Sequence, residues 1–101
     1  MKAVKVQYTV RAEFVERNKE NIRSVMDVLR ANPIDGLKYA AFMLDDGQSF
    51  VHINMARDAD TLSRFTGLAE FKAFQAALKE SDPVSPPAAE TLHLVAAGFE
   101  L

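Results

Sequence analysis

The chain has 101 residues, enough for one domain, and its 49% apolar and 26% charged residues are globular rather than disordered. A formal net charge of −2 and a pI near 5.6, with no long basic run, argue against a nucleic-acid binder. The absence of cysteine excludes disulfide frameworks, thiolate metal sites and cysteine nucleophiles.

Val4, Val6, Tyr8 and Val10 alternate with Lys5, Gln7, Thr9 and Arg11, which predicts a first strand. The opening Met1-Lys2-Ala3-Val4-Lys5 runs straight into it with no apolar h-region, so no signal peptide and a cytoplasmic location are expected. From about Glu13 to Ala31 the period becomes helical, with Val15, Ile22, Val25, Met26 and Leu29 on one face. Asn32-Pro33 should stop that helix, because proline disfavours helical backbone in the residue before it.

Leu37 to Leu44 and Gln48 to about Met55 read as two strands joined by Asp45-Asp46-Gly47. An Asp-Gly pair between apolar runs predicts a tight hairpin with a type I′ turn, which would pair Met43 with Phe50 and Leu44 with Ser49. Asp58 or Asp60 should cap a second helix with an apolar stripe of Leu62, Phe65, Leu68, Phe71, Phe74 and Leu78, interrupted near Gly67. Ser81 to Ala89, with Pro83, Pro86 and Pro87, reads as an ordered connector. Thr91 to Phe99 alternates again and reads as a fourth strand. No apolar run approaches the roughly 20 residues needed to span a bilayer, so no membrane role is expected.

This order is the β-α-β-β-α-β pattern of an α+β, ferredoxin-like domain spanning residues 1–101, with an antiparallel sheet and two helices on one face. By analogy with that fold the strand order is 4-1-3-2. Parity assigns Val4, Val6, Tyr8, Val10, Phe42, Leu44, Val51, Ile53, Met55, Leu92, Leu94 and Ala96 to the helix-packed face. The other face would then carry Gln7, Thr9, Arg11, Tyr39, Ala41, Met43, Phe50, His52, Asn54, Thr91, His93 and Val95. That face is too apolar for open water, which predicts a homodimer formed through it. The strand-two members of both sets depend on the turn length.

Both histidines, His52 and His93, are candidate general bases, since imidazole titrates near neutrality. Each could equally be a hydrogen-bonded residue of a semi-polar interface. Arg11 could hold an anionic group or pair with a carboxylate. Tyr39 and Asn54 could orient a phenol or enolate oxygen, and Gln7, Thr9 and Phe50 complete a binding surface for a small aromatic ligand. No metal site and no cofactor are expected: no Asp or Glu completes a ligand set on that face, and glycine-rich phosphate loops and paired-histidine zinc motifs are absent.

The first strand, the long first helix, Asn32-Pro33-Ile34-Asp35-Gly36-Leu37 and Leu68-Ala69-Glu70-Phe71-Lys72-Ala73-Phe74 together resemble the dimeric α/β-barrel superfamily, in its antibiotic-biosynthesis-monooxygenase-like branch. That resemblance implies two sheets packed face to face and, in some members, oxidation of phenolic or quinol-like substrates by O₂ without metal or flavin. It implies a pocket in each subunit, between sheet and helices or at the sheet face. The function expected at the sheet face is that of a cofactor-independent monooxygenase. The alternative is a non-catalytic ligand-binding or protein-interaction module of the same dimeric fold. Related members degrade haem with a strand-one asparagine, a tryptophan and a histidine; here strand one offers Gln7 and Thr9, and tryptophan is absent. RNA-recognition domains share the element order, and the third strand matches their motif at Gly47, Phe50 and Val51. Asp46 and Gln48 stand where that motif needs a basic and an aromatic residue, so no nucleic-acid partner is expected.

Overall fold

A computed structural model describes all 101 residues. The elements are β1 (Lys2–Thr9), a 3-10 turn (Ala12–Phe14), α1 (Val15–Ala31), β2 (Leu37–Met43), β3 (Ser49–Ala56), α2 (Ala59–Thr66), α3 (Ala69–Glu80) and β4 (Ser85–Leu92). They form one antiparallel sheet ordered β2-β3-β1-β4, the ferredoxin-like arrangement. Asp58, not Asp60, caps α2: its carboxylate accepts from the backbone N–H and hydroxyl of Thr61, both at 2.8 Å. Those bonds hold the carboxyl below its usual range. Gly67 and Leu68 separate α2 from α3.

The β2–β3 hairpin keeps the expected register, Met43 opposite Phe50, with a different turn. Within its loop only Gly47 has a positive φ, of 73°, so a type I′ turn, which needs two, is not formed. The Gly47 N–H bonds the Leu44 carbonyl at 3.1 Å, and the Asp46 carboxylate accepts from the backbone N–H groups of Gln48 and Ser49. This acidic side chain replaces the second left-handed residue as the device that closes the loop.

The face assignment of two strands is inverted. In β1–β3 pairing Tyr8 lies opposite Phe50, Val6 opposite His52 and Gln7 opposite Val51. Directly opposed residues share a face. Phe50, His52 and Asn54 therefore face the helices with Tyr8, and so do their partners Met43, Ala41 and Tyr39. Val51, Ile53, Met55 and Phe42 lie on the open face with Gln7 and Thr9. Aliphatic preference had selected the wrong half of β3, because both halves of that strand are partly apolar.

The fourth strand is displaced as well. β4 begins at Ser85 and contains Pro86-Pro87, while residues beyond Leu92 lie outside the sheet. Gln7 pairs with Ala88 but Thr9 pairs with Ser85, so one extra residue of β4 bulges opposite Tyr8. Proline donates no backbone hydrogen bond and is tolerated at a bulge of an edge strand. Thr91, expected to open the strand on the open face, lies near its end opposite Val4 on the helix side, and Leu92, expected on the helix side, lies opposite Ala3 on the open side. His93, Leu94, Val95 and Ala96 join neither face; Val95 is 99% exposed.

The core is aromatic. Tyr8, Val10, Val25, Phe50, Phe65, Phe74 and Leu78 are buried together between sheet and helices. Tyr8 stacks on Phe50 with centroids 5.6 Å apart, and Tyr39, Phe65 and Phe71 pack at 4.5 to 6.4 Å. Such pairs contribute about 0.5–1.5 kcal/mol beyond their buried area. No helix is long and apolar enough to cross a membrane.

Candidate active site

A cavity of about 360 Å³ opens between the sheet and α3. Its floor is Val6 and Tyr8 of β1, Tyr39 of β2, and His52 and Asn54 of β3. Phe71, Phe74 and Leu78 of α3 form the opposite wall, with Gln75 and Lys79 also on that helix. Pro83, Pro86 and Pro87 close the third side. The β4 bulge places Pro86 and Pro87 there, and the Arg11 guanidinium ties down the segment that leads into Pro83. It donates to the Asp82 carbonyl and carboxylate, both at 2.8 Å. Asp82 itself takes a left-handed φ of 55°.

The cavity floor carries a chain of hydrogen bonds. The Asn18 Nδ2 of α1 donates to the Tyr8 hydroxyl at 2.9 Å; the Tyr8 hydroxyl lies 2.7 Å from His52 Nε2; His52 Nδ1 lies 2.5 Å from the Tyr39 hydroxyl. His52 is 4% exposed, and burial pushes its imidazole down to about 4, so it is neutral at pH 7. Burial pushes both tyrosine phenols up, and they stay protonated. Asn54 is also buried, and its Oδ1 has no partner in the protein. A buried carbonyl without a partner is costly to the fold.

Of the residues singled out from the sequence, His52, Tyr39 and Asn54 meet in this cavity, on the helix side of the sheet rather than its open side. Phe50 lies beside them as a core residue stacked on Tyr8. Gln7 and Thr9 lie on the open face, where Thr9 bonds the Ser49 hydroxyl at 2.7 Å. Arg11 is a tether outside the cavity. His93 is exposed beyond β4 and does not approach His52's cavity. No group of three or more His, Asp or Glu side chains comes together elsewhere in the chain.

Two members of the His52 hydrogen-bond chain, Tyr8 and Asn18, escape a reading of the sequence alone. Tyr8 was counted as core, and its position supports that; its hydroxyl does the additional work. Asn18 carried a legible signal. It falls between Val15 and Ile22 on the stripe Val15, Asn18, Ile22, Val25, Leu29, at the three- and four-residue spacing of a core seam. A fully buried asparagine there asks for a polar partner.

No protein-family model matches the sequence, and no curated protein matches it. The fold is shared with solved structures. An antibiotic biosynthesis monooxygenase superposes with a TM-score of 0.80 at 18% identity, covering 95% of this chain and 100% of that one. SnoaB, a cofactor-independent oxygenase from Streptomyces nogalater, superposes with a TM-score of 0.72 at 15% identity, covering 98% and 97%. PA3566 from Pseudomonas aeruginosa gives 0.77 at 18% identity, covering 94% of each. At these identities the likeness is one of architecture, and the chain has the ferredoxin-like fold of the antibiotic-biosynthesis-monooxygenase-like proteins.

Proposed function

We propose that this protein is a cofactor-independent monooxygenase that acts on a small aromatic or quinol-type substrate in the cavity between sheet and α3. The observation that carries the reading is the unbroken Tyr8–His52–Tyr39 chain on the floor of an aromatic-walled cavity. Oxygenation of a phenol needs no cofactor if the ring itself supplies the electrons. Ionisation makes the ring electron-rich, O₂ accepts the electrons, and phenol plus O₂ gives quinone plus water. The protein then has three tasks: take a proton, hold the resulting anion and keep bulk water away.

Both His52 ring nitrogens are bonded to tyrosines, so a substrate proton reaches the imidazole through a tyrosine hydroxyl rather than directly. A phenolate forming beside the ring is an opposite charge and raises the imidazole's proton affinity from its depressed resting value. Tyr8 and Tyr39 present their hydroxyls to the cavity floor, and Phe71, Phe74 and the prolines exclude solvent. His52→Ala should cut O₂ uptake on a quinol panel by about 10²–10⁴-fold. Unchanged turnover would reject the assignment of His52.

The same two bonds support a second reading, a non-catalytic ligand-binding module of this fold, because His52 is already satisfied without any substrate. Retention of aromatic ligands with no O₂ uptake by the native protein would select it.

We also propose a homodimer through the open sheet face. Phe42 is 55% exposed there, beside Val51, Ile53 and Met55. A domain of this length covers its apolar surface poorly alone, and a pair burying roughly 1,600 Å² is a normal stable interface. Sedimentation as a monomer at micromolar concentration would overturn this.

A further inference from the structure

The hydrogen-bond chain has a direction, and its direction is set at the end farthest from Tyr39. Asn18 is fully buried, and its Nδ2 donates to the Tyr8 oxygen while its Oδ1 has no partner. The reversed amide would strand both N–H donors, whereas the observed one strands the carbonyl and only one N–H. Orphaned buried donors are the rarer and costlier defect.

A tyrosine hydroxyl has a single proton. The Tyr8 oxygen accepts from Asn18; were it to accept from His52 as well, its own proton would be stranded on a residue only 2% exposed, whereas giving that proton to His52 Nε2 satisfies both atoms and leaves the unpaired hydroxyl on the less buried Tyr39. Nε2 is then the acceptor, and the ring proton sits on Nδ1, where it donates to the Tyr39 oxygen. The Tyr39 hydroxyl proton is left over, and no protein group accepts it. Tyr39 lines the cavity, so that proton is offered to the ligand.

We propose that Asn18 is a positioning residue that holds His52 as its Nδ1–H tautomer, so that Tyr39 acts as a donor and the cavity takes its ligand by an acceptor oxygen, a quinone carbonyl or a phenolate. This rests on the cavity being the ligand site and deepens that reading. A neutral hydroxyl can meet Tyr39 only through its lone pair, and ionisation or oxidation, which leaves the oxygen purely an acceptor, strengthens that bond. Reversing the tautomer would reverse the preference. Tyr39 would then give its proton to Nδ1 and present a lone pair to the cavity.

The test is ¹⁵N NMR of histidine-labelled protein, with His93→Gln to leave a single histidine. A protonated Nδ1 and bare Nε2 in otherwise native protein are expected; the opposite tautomer overturns the proposal. Asn18→Asp replaces the donor with an acceptor and should move the ring proton to Nε2; a folded variant with unchanged tautomer also overturns it. Where that variant fails to fold, the native spectrum decides alone. The ligand half is read with 1,4-naphthoquinone, which has two acceptor carbonyls and no donor. Tyr39→Phe should weaken its binding about tenfold, the loss of one hydrogen bond, and unchanged affinity overturns the acceptor preference. None of these readouts needs turnover, so a protein that fails to consume O₂ would defeat the oxygenase reading and leave this one standing.

Discussion

Each of the two faces of the sheet carries a set of side chains that the usual inside–outside rule would place on the other. The face covered by helices carries Tyr8, Tyr39, His52 and Asn54 along three adjacent strands, with Asn18 of α1 above them. The face left open carries Val51, Ile53, Met55 and Phe42. A domain that folded only to hide hydrocarbon would place these sets the other way round. The polar groups are tolerated inside because they bond one another in a chain, and because a cavity beside them leaves room for a ligand. The apolar groups are tolerated outside, on our reading, because a second copy covers them.

The contrast is broken most directly with one charge placed on each face. Phe50→Asp would bury a carboxylate against Tyr8, and a loss of about 5 kcal/mol or more is expected, enough to unfold a marginal domain. Urea denaturation would read it. Ile53→Asp, three residues along the same strand, should leave the monomer folded by circular dichroism. Its dimer should weaken roughly 30-fold or more in sedimentation, as for a central interface residue. Equal unfolding by both substitutions would mean that the open face is a core surface of the monomer.

Acid sharpens the comparison from the covered side. The folded state holds His52 down to about 4, whereas an unfolded imidazole titrates at 6.5. The unfolded chain therefore binds the extra proton first. Stability from this group is fully present above pH 6.5, is lost as the pH falls toward 4, and levels off below that. The loss amounts to about 3 kcal/mol across the window. Urea midpoints at pH 7 and 4.5 should differ, and His52→Gln should remove most of that difference. A native protein with the same midpoint at both values would mean the imidazole is not held neutral.

The smallest effect is expected outside both faces. Arg11→Ala breaks an exposed ion pair with Asp82, and stability should change by less than about 1 kcal/mol. Ligand affinity should fall further than stability does, because the Asp82 to Pro87 segment forms one side of the cavity. Calorimetric titration with 1,4-naphthoquinone beside a thermal melt would separate the two.

Element order, both helix stripes, an aspartate cap at Asp58 or Asp60, the break near Gly67 and the Met43–Phe50 pairing were all legible in the linear sequence. Each rests on local periodicity or on one residue's own chemistry. The candidate residues His52, Tyr39 and Asn54 were also legible as one set, because they share parity within the hairpin. Alternation reports that a strand has two faces. It does not say which one meets the helices when both are half apolar, as Phe50-Val51-His52-Ile53-Asn54-Met55 is. That choice was made by the pairing of Tyr8 with Phe50 across 42 residues of chain, a contact no local pattern encodes. The fourth strand was settled the same way. Pro86-Pro87 looked like a connector, and only edge pairing with β1, bulged opposite Tyr8, makes it a strand and a cavity wall. Local chemistry determined which segments are helix or strand. The tertiary structure alone decided that a histidine from β3, tyrosines from β1 and β2 and an asparagine from α1 share one buried chain, because hydrogen bonds between distant segments exist only once the sheet has closed beneath the helix.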